Sequence, residues 1–193
     1  MSSMDSRRER PTRALRRAGL SRERVLAAAV ALADEGGVEE LSMRKLAKKL
    51  GVEAMSLYNH IANKDYLLDG MIDFVFSEIE PPTPGEDWRQ EMRESAISTR
   101  DALNRHRWAV GLLDARPNPG EANLRLYEAV LACLREAGFS AEMAIRAQSI
   151  QDAYIFGFAL QETTRHEEEF LFGLDLILDG LEKRLAVERR RSG

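Results

Sequence analysis

Apolar residues in this chain recur at helical spacing. No stretch alternates apolar and polar positions with β-branched residues, so the pattern predicts helices and no strands. Residues 1–20 are polar and Arg-rich without apolar periodicity, which predicts a disordered arm. Ser21 then stands as the N-cap of a first helix, with Val25, Ala28, Ala29, Leu32 and Ala33 on its buried face and Gly36-Gly37 at its end. Ser42 caps a short second helix whose Leu46, Ala47 and Leu50 face inward. Gly51 stops it, and a third helix, Ala54–His60, follows at once. Asn63-Lys64-Asp65 opens a fourth, carrying Tyr66, Leu67, Met71, Phe74 and Val75 up to the proline-rich break Glu80–Gly85. Longer helices are predicted over Asp87–Arg105, Glu121–Ala137, Ala141–Thr164 and Glu168–Glu188. A short one, Trp108–Ala115, precedes a second proline break at Arg116–Gly120. In the last helix Phe170, Leu174, Ile177, Leu178, Leu181 and Leu185 form one broad apolar stripe.

Charge changes this picture once it is divided by position. The 193 residues are 44% hydrophobic and 31% charged, with a net charge of −4, a composition typical of a globular protein. Taken alone, −4 argues against a nucleic-acid binder, because such domains are usually basic. Residues 1–64, however, hold 13 Lys+Arg against 8 Asp+Glu, a net of +5, and residues 65–193 hold 15 against 24, a net of −9. A basic end is therefore joined to an acidic body. No apolar run approaches the roughly 20 residues of a membrane span. The Arg-rich start has no apolar core of a secretory signal, so a cytoplasmic location without a membrane partner is expected. The single cysteine, Cys133, lies in an apolar helical stretch and reads as packing rather than as a nucleophile or part of a cysteine cluster.

The chemistry sits in the segment Arg44–Tyr58. Two short helices joined by a tight turn need a small residue where they cross, supplied by Ala47, and a residue tolerant of left-handed backbone at the corner, supplied by Gly51. Leu46, Leu50, Val52, Leu57 and Ile61 fix the angle. The second helix can then present Ala54, Met55, Ser56, Tyr58 and Asn59 to a major groove while hydroxyls and cations hold phosphates. An ordinary helical hairpin with a solvated face has the same spacing. Arg7, Arg8, Arg10, Arg13, Arg16 and Arg17 ahead of the first helix suit a minor groove or a phosphate backbone, and equally a solubilising tail.

Leu41–Ala47 through Gly51-Val52, then Ser56-Leu57-Tyr58-Asn59-His60-Ile61-Ala62-Asn63-Lys64-Asp65-Tyr66-Leu67-Leu68, closely resembles the DNA-binding domain of tetracycline-repressor (TetR) family transcriptional regulators. The later half resembles the tetracycline-repressor branch through Trp88, Arg116-Pro117, Glu136-x-Gly138-Phe139 and Phe172–Glu182. The resemblance implies that Arg44, Ala54, Met55, Ser56, Tyr58, Asn59 and His60 face operator DNA. It implies Ser42, Tyr58, His60 and Lys64 as the phosphate-binding set, with Arg44 the residue best able to grip a guanine edge. Ala54 and Met55 stand where tetracycline repressors usually have Gln and Pro, which implies a different operator.

The resemblance further implies a homodimer joined through the last two long helices, with the stripe Phe170–Leu185 and the segment Ile145–Leu160 serving both core and partner. It implies a small-molecule pocket among the helices of the body. Polar or aromatic residues on apolar faces are the candidates: Trp88, Met92, Thr99, Trp108 and Tyr127 in the earlier helices, then Gln148, Gln151, Asp152, Tyr154 and Gln161. Positions that hold the magnesium–drug chelate in tetracycline repressors correspond here to Ser95, Thr99 and Leu113, with no histidine. That speaks against the chelate as effector, and the aromatic and apolar character of the candidate lining suggests a flat or hydrophobic small molecule instead. The link Thr163–Glu169 is much shorter than is usual in that branch.

Two rival classes remain. None of the three histidines, His60, His106 and His166, has metal or triad spacing, and no Gly-rich phosphate loop precedes a helix, so no catalytic residue, cofactor or metal is expected. Asp175, Asp179 and Glu182 share one helical face, read as solvated. A helical interaction or small-molecule-binding protein without DNA binding would explain the bundle but not Leu57-Tyr58-x-His60 in basic surroundings. The expected architecture is all-α: an arm at 1–20, a three-helix helix-turn-helix head at 21–66, and a ligand-binding and dimerisation domain at 67–193. The expected activity is that of a ligand-responsive repressor with a double-stranded operator and a small-molecule effector as partners.

Overall fold

The computed structural model describes residues 19–113, 116, 120–161 and 166–192. Most of the arm, most of the Arg116–Gly120 break and residues 162–165 of the last link lie outside the described residues. Among the described residues there are no strands. The helices are α1 (Arg22–Gly36), α2 (Met43–Leu50), α3 (Ala54–Leu57), α4 (Lys64–Phe76), α5 (Trp88–Arg105), α6 (Arg107–Leu113), α7 (Glu121–Glu136), α8 (Ala141–Gln161) and α9 (Glu167–Ser192), with a 3-10 turn at Val38–Glu40. No helix among them is long and apolar enough to cross a membrane.

Local chemistry sets the starts and stops. The side chains of Ser21, Ser42 and Asn63 accept hydrogen bonds from the backbone N–H groups of Arg24, Lys45 and Tyr66 at 3.3, 3.2 and 2.9 Å. Gly51 ends α2 at φ +70°, ψ 34°, the left-handed conformation that its missing Cβ permits. Its N–H and that of Val52 both return to the last turn of α2, Val52 bonding the Ala47 carbonyl at 3.1 Å. The third helix is shorter than its pattern predicts. Regular α-helix stops at Leu57, and Tyr58–His60 continue as tight turns, the His60 N–H bonding the Leu57 carbonyl at 2.9 Å. The chain has to bury Ile61 and reach the extended Asn63 cap within a few residues, which leaves no length for another helical turn.

Three buried clusters divide the molecule. The first joins α1, α2 and α3 through Val25, Leu26, Ala29, Val30, Leu46 and Leu57, and takes Leu67, Leu68 and Met71 from α4. A second gathers Ile72, Val75 and Phe76, from the other end of α4, with Ala102, Ala109 and Ala122. The third and largest packs α5, α7, α8 and α9 around Met92, Leu134, Ile155, Phe170, Leu174 and Leu178. Packing thus passes from head to body inside α4. Gly70 allows α1 close to α4: a Cβ there would lie 2.8 Å from a Leu26 methyl. Burial in the third cluster's helices pushes the Cys133 thiol up to about 11, which leaves it a packing group.

The stripe on α9 does less than its breadth suggested. Phe170, Leu174, Leu178, Leu181 and Leu185 are all buried within one chain, and Ile177 is half-buried. The large apolar residues left exposed on α9 are Phe172, Leu176 and Val187, a neighbouring face, with Ile145, Ile150 and Leu160 on α8. Nor is the acidic side of α9 simply solvated. Asp179 and Asp175 pair with Arg89 and Arg93 of α5 at 2.6 and 3.3 Å, and Glu182 lies 3.6 Å from Arg89.

One carboxylate ties α4 to the body. Asp73 accepts from the backbone N–H groups of Ala122 at 2.7 Å and Asn123 at 3.4 Å, capping the exposed donors at the start of α7. Gly120 makes room for it, since a Cβ there would fall 2.1 Å from an Asp73 carboxylate oxygen. Gly120→Ala should therefore expel the Asp73 side chain and destabilise the fold by about 1–3 kcal/mol. Urea unfolding measures this, and adding Asp73→Ala should cost much less in that background than in the parent.

Candidate nucleic-acid interface and ligand cavity

Burial of Leu46, Ala47, Leu57 and Ile61 fixes which side of the α2–α3 corner meets solvent. The side left outside carries the residues that the sequence singled out. Ser42 and Arg44 are exposed at the start of α2, and Lys64 is exposed at the start of α4. Met55 is 75% exposed on α3, with Ala54 and Ser56 half-buried beside it. Tyr58, 46% exposed, and the exposed Asn59 stand in the turns after α3, with His60 half-buried. A methionine and a tyrosine held out in water next to a buried helical corner have no packing purpose within the chain. Lys45 and Lys49 turn the other way, to Glu40 and to Glu35 at 2.7 Å. The positive charge of the basic end is also unevenly placed. Residues 1–18 hold six arginines against Asp5 and Glu9, so +4 of the +5 belongs to the arm.

A seam of polar contacts joins this head to the body. The Trp108 indole N–H donates to Asp34 at the end of α1, at 2.7 Å. The two ring nitrogens of His106 lie 2.8 Å from Asp34 and 3.2 Å from Glu78. Burial pushes the Glu78 carboxyl up, but hydrogen bonds from Arg105 and His106 outweigh it and hold the group below its ordinary range. Arg116 reaches back to α4, donating to Asp69 and, at 3.0 Å, to Asp65. Nothing in the spacing of these residues marked them. Their partners are 28 to 74 positions away for His106 and Trp108.

Inside the body, α4, α5, α6, α7 and α8 line a cavity of about 200 Å³. Of the pocket residues expected from sequence, Thr99, Tyr127, Gln148, Gln151 and Asp152 line it, as do Ser95 and Leu113. The others lie elsewhere for identifiable reasons. Trp88 packs edge-on against Phe139, centroids 5.1 Å apart, and Met92 is buried in the main core with only its carbonyl turned to Gln151. Trp108 is engaged at the seam. Tyr154 stacks on Phe170 and donates to its carbonyl at 2.8 Å, and Gln161 is exposed. The apolar wall, which the sequence did not single out, is Phe76, Leu126, Val130, Ile155 and Phe156, with Asn123 at the end near Asp73. Only the polar liners stood out from an apolar helix, whereas these apolar ones look like any core residue.

Among the described residues no group of three or more His, Cys, Asp or Glu side chains could hold a metal ion. Burial pushes the Asp152 carboxyl from its usual 3.8 up to about 6, against a hydrogen bond from Gln148 that lowers it. A carboxyl whose pKa is raised by folding weakens the fold wherever it is ionised. The penalty is full above about pH 6 and fades as pH falls towards 4. Asp152→Asn should thus stabilise the protein by about 1–2 kcal/mol at pH 7.5, a figure discounted for partial exposure, with no gain near pH 4. Thermal unfolding of both proteins across that range checks this.

Comparison with known proteins gives this arrangement a family. The model of bacterial regulatory proteins of the tetR family matches residues 25–71, and that of the tetracyclin repressor-like C-terminal domain matches residues 80–169. The chain is 38% identical over 152 residues to an HTH-type transcriptional regulator of Saccharopolyspora erythraea, a match taking in 78% of the chain but 64% of that protein. It therefore spans less than two thirds of that relative's length. Against the class E tetracycline repressor protein of Escherichia coli it is 32% identical over 179 residues, 91% of the chain and 84% of the repressor. The crystal structure of BioQ with its natural double-stranded DNA operator superposes with a TM-score of 0.71 at 33% identity, over 84% of this chain and 98% of that one. The two models follow one another along head and body, and the class E match runs through both: the chain belongs to the TetR family of bacterial regulatory proteins.

Proposed function

We propose that this chain is a ligand-responsive, DNA-binding transcriptional regulator that acts as a homodimeric repressor. The observation that carries the reading is the double membership of α4. Its Leu67, Leu68 and Met71 belong to the head core, while Phe76 lines the cavity. A molecule entering the cavity presses on the same helix that positions the head. Residues 1–20 serve as an arm, 21–66 as the DNA-binding head and 67–193 as the ligand-binding and dimerisation body, with α4 running between the last two.

In this reading two heads enter successive major grooves of a pseudo-palindromic operator, about one helical turn apart. Ser42, Tyr58, His60 and Lys64 hold phosphates. Arg44 takes a base edge, and Ala54, Met55, Ser56 and Asn59 complete the groove surface. Likeness to BioQ, whose structure holds its double-stranded DNA operator, and to the class E tetracycline repressor protein supports this assignment. Ligand in the cavity shifts α7 and α4 together through Asp73 and changes the spacing of the heads. A coupling of about 1–3 kcal/mol is enough to release DNA. The protein performs no catalysis in this scheme.

The partner face assigned here is the exposed one: Ile150 and Leu160 on α8, Phe172, Leu176 and Val187 on α9. Gly157 and Gly180 lie between these residues with open space where a Cβ would stand, so two copies can approach closely. Phe172→Glu combined with Leu176→Glu should halve the mass seen in sedimentation while keeping the helical circular dichroism. Leu174→Glu, which puts a charge into the core, should unfold the chain. A variant pair that still sediments as a dimer removes this face from the assignment.

The DNA face is tested separately. Operator fragments selected from genomic DNA should bind Tyr58→Ala about tenfold more weakly, with thermal unfolding unchanged because Tyr58 is half out in solvent. Unaltered affinity would count against the face.

A further inference from the structure

The cavity sets one carboxylate beside two amide oxygens that meet no donor, with Ser95, Asn123 and Tyr127 as the neutral polar groups elsewhere on its walls, and that charge bias specifies the kind of molecule it takes. Gln148, Gln151, Asp152 and Ile155 fall on one face of α8 and line the cavity together. Gln148 is 6% and Gln151 4% exposed. Each commits an amide N–H to an acceptor: Gln151 to the Met92 carbonyl at 3.4 Å, Gln148 to the Asp152 carboxyl. What each leaves without a partner is its Oε1 atom. On the facing helix the Thr99 hydroxyl gives its proton to the Ser95 carbonyl at 2.8 Å, so it too offers an oxygen lone pair inward. Among the described residues no lysine, arginine or histidine lines the cavity, and Asp152 is the one ionisable carboxyl there. A buried acceptor that meets no donor is unfavourable, and so is a buried carboxylate that meets no cation.

We propose that the cavity binds a small ring-containing cation bearing N–H donors, such as a protonated aromatic amine or amidine. Asp152 is its counter-charge, and the amide oxygens of Gln148 and Gln151 are its acceptors. This rests on the reading of the cavity as the effector site. Phe76, Phe156, Val130 and Leu126 cover the ring faces while the charged edge lies along α8. A carboxylate or phosphate ligand would bring negative charge to Asp152 with no lysine, arginine or histidine on the described walls to offset it. A metal chelate would find a single carboxylate and no histidine on the walls.

Three fluorescent tricycles of similar size test this with the full chain at pH 8: proflavine, a cation with two amino groups; 9-anthracenemethanol, uncharged; and 9-anthracenecarboxylate, an anion. Fluorescence anisotropy should give proflavine an affinity at least tenfold above the anion's. Asp152→Asn should weaken proflavine tenfold or more and leave the uncharged tricycle within twofold. Gln151→Leu should weaken proflavine alone. Val130→Phe fills the cavity and should abolish binding of proflavine, with Leu126→Phe as a second filler should that variant unfold. If the anion binds as tightly as proflavine, or Asp152→Asn leaves proflavine unchanged, while the fillers still abolish binding, the cation preference is wrong and the cavity remains a ligand site. If no tricycle responds to either filler, the cavity reading fails and the proposal falls with it.

Discussion

A helix can be held from two sides only if its opposite ends present apolar faces to different cores, and α4 does so. Met71 and Ile72 are adjacent in sequence, yet one belongs to the head cluster and the other to the cluster shared with α6 and α7. Burial on both sides fixes the axis of α4 against α1 at Gly70 and against α7 at Asp73. Cavity, seam and the exposed α2–α3 corner are arranged around that axis. Phe76 closes one end of the cavity, Asp65 and Asp69 receive Arg116, and Lys64 begins the helix at the edge of the head.

How far this was legible from sequence depended on the range of the interaction. Ser21, Ser42 and Asn63 act within three residues of themselves, so their capping could be read directly, as could the left-handed turn at Gly51. The shortening of α3 could not, because it follows from where Ile61 must be buried rather than from the propensity of Tyr58 to His60. In the body, Gln148, Gln151 and Asp152 stood out as polar residues on an apolar helix. Trp88 and Trp108 stood out equally but point elsewhere, one to Phe139 and one to Asp34, because an aromatic residue announces burial and not direction. The α9 stripe is legible as apolar, but not its share between core and partner. Its full use inside one chain depends on how much of α5 and α8 reaches it, which periodicity does not contain.

Charge needs the same care. The acidic body is not uniformly repulsive, since Arg89, Arg93 and Arg105 each sit against one of its carboxylates, and the −9 is what is left after all its cations are counted. In the head, two of the lysines face glutamates of their own chain. Of the net +5 carried by residues 1–64, +4 lies in residues 1–18, ahead of the first helix.

The bond from Asp73 to the start of α7 has a consequence for the order of events in the proposed switch. Two ligands that act through one shared helix oppose each other reciprocally: the factor by which an effector lowers operator affinity is the factor by which the operator lowers effector affinity. A copy already seated on DNA must then be the poorer sensor. The unbound copies fill first as the small molecule accumulates, and the operator is vacated by depletion of competent protein as much as by ejection. Response sharpness would be governed by the number of copies in reserve, a quantity set outside the fold.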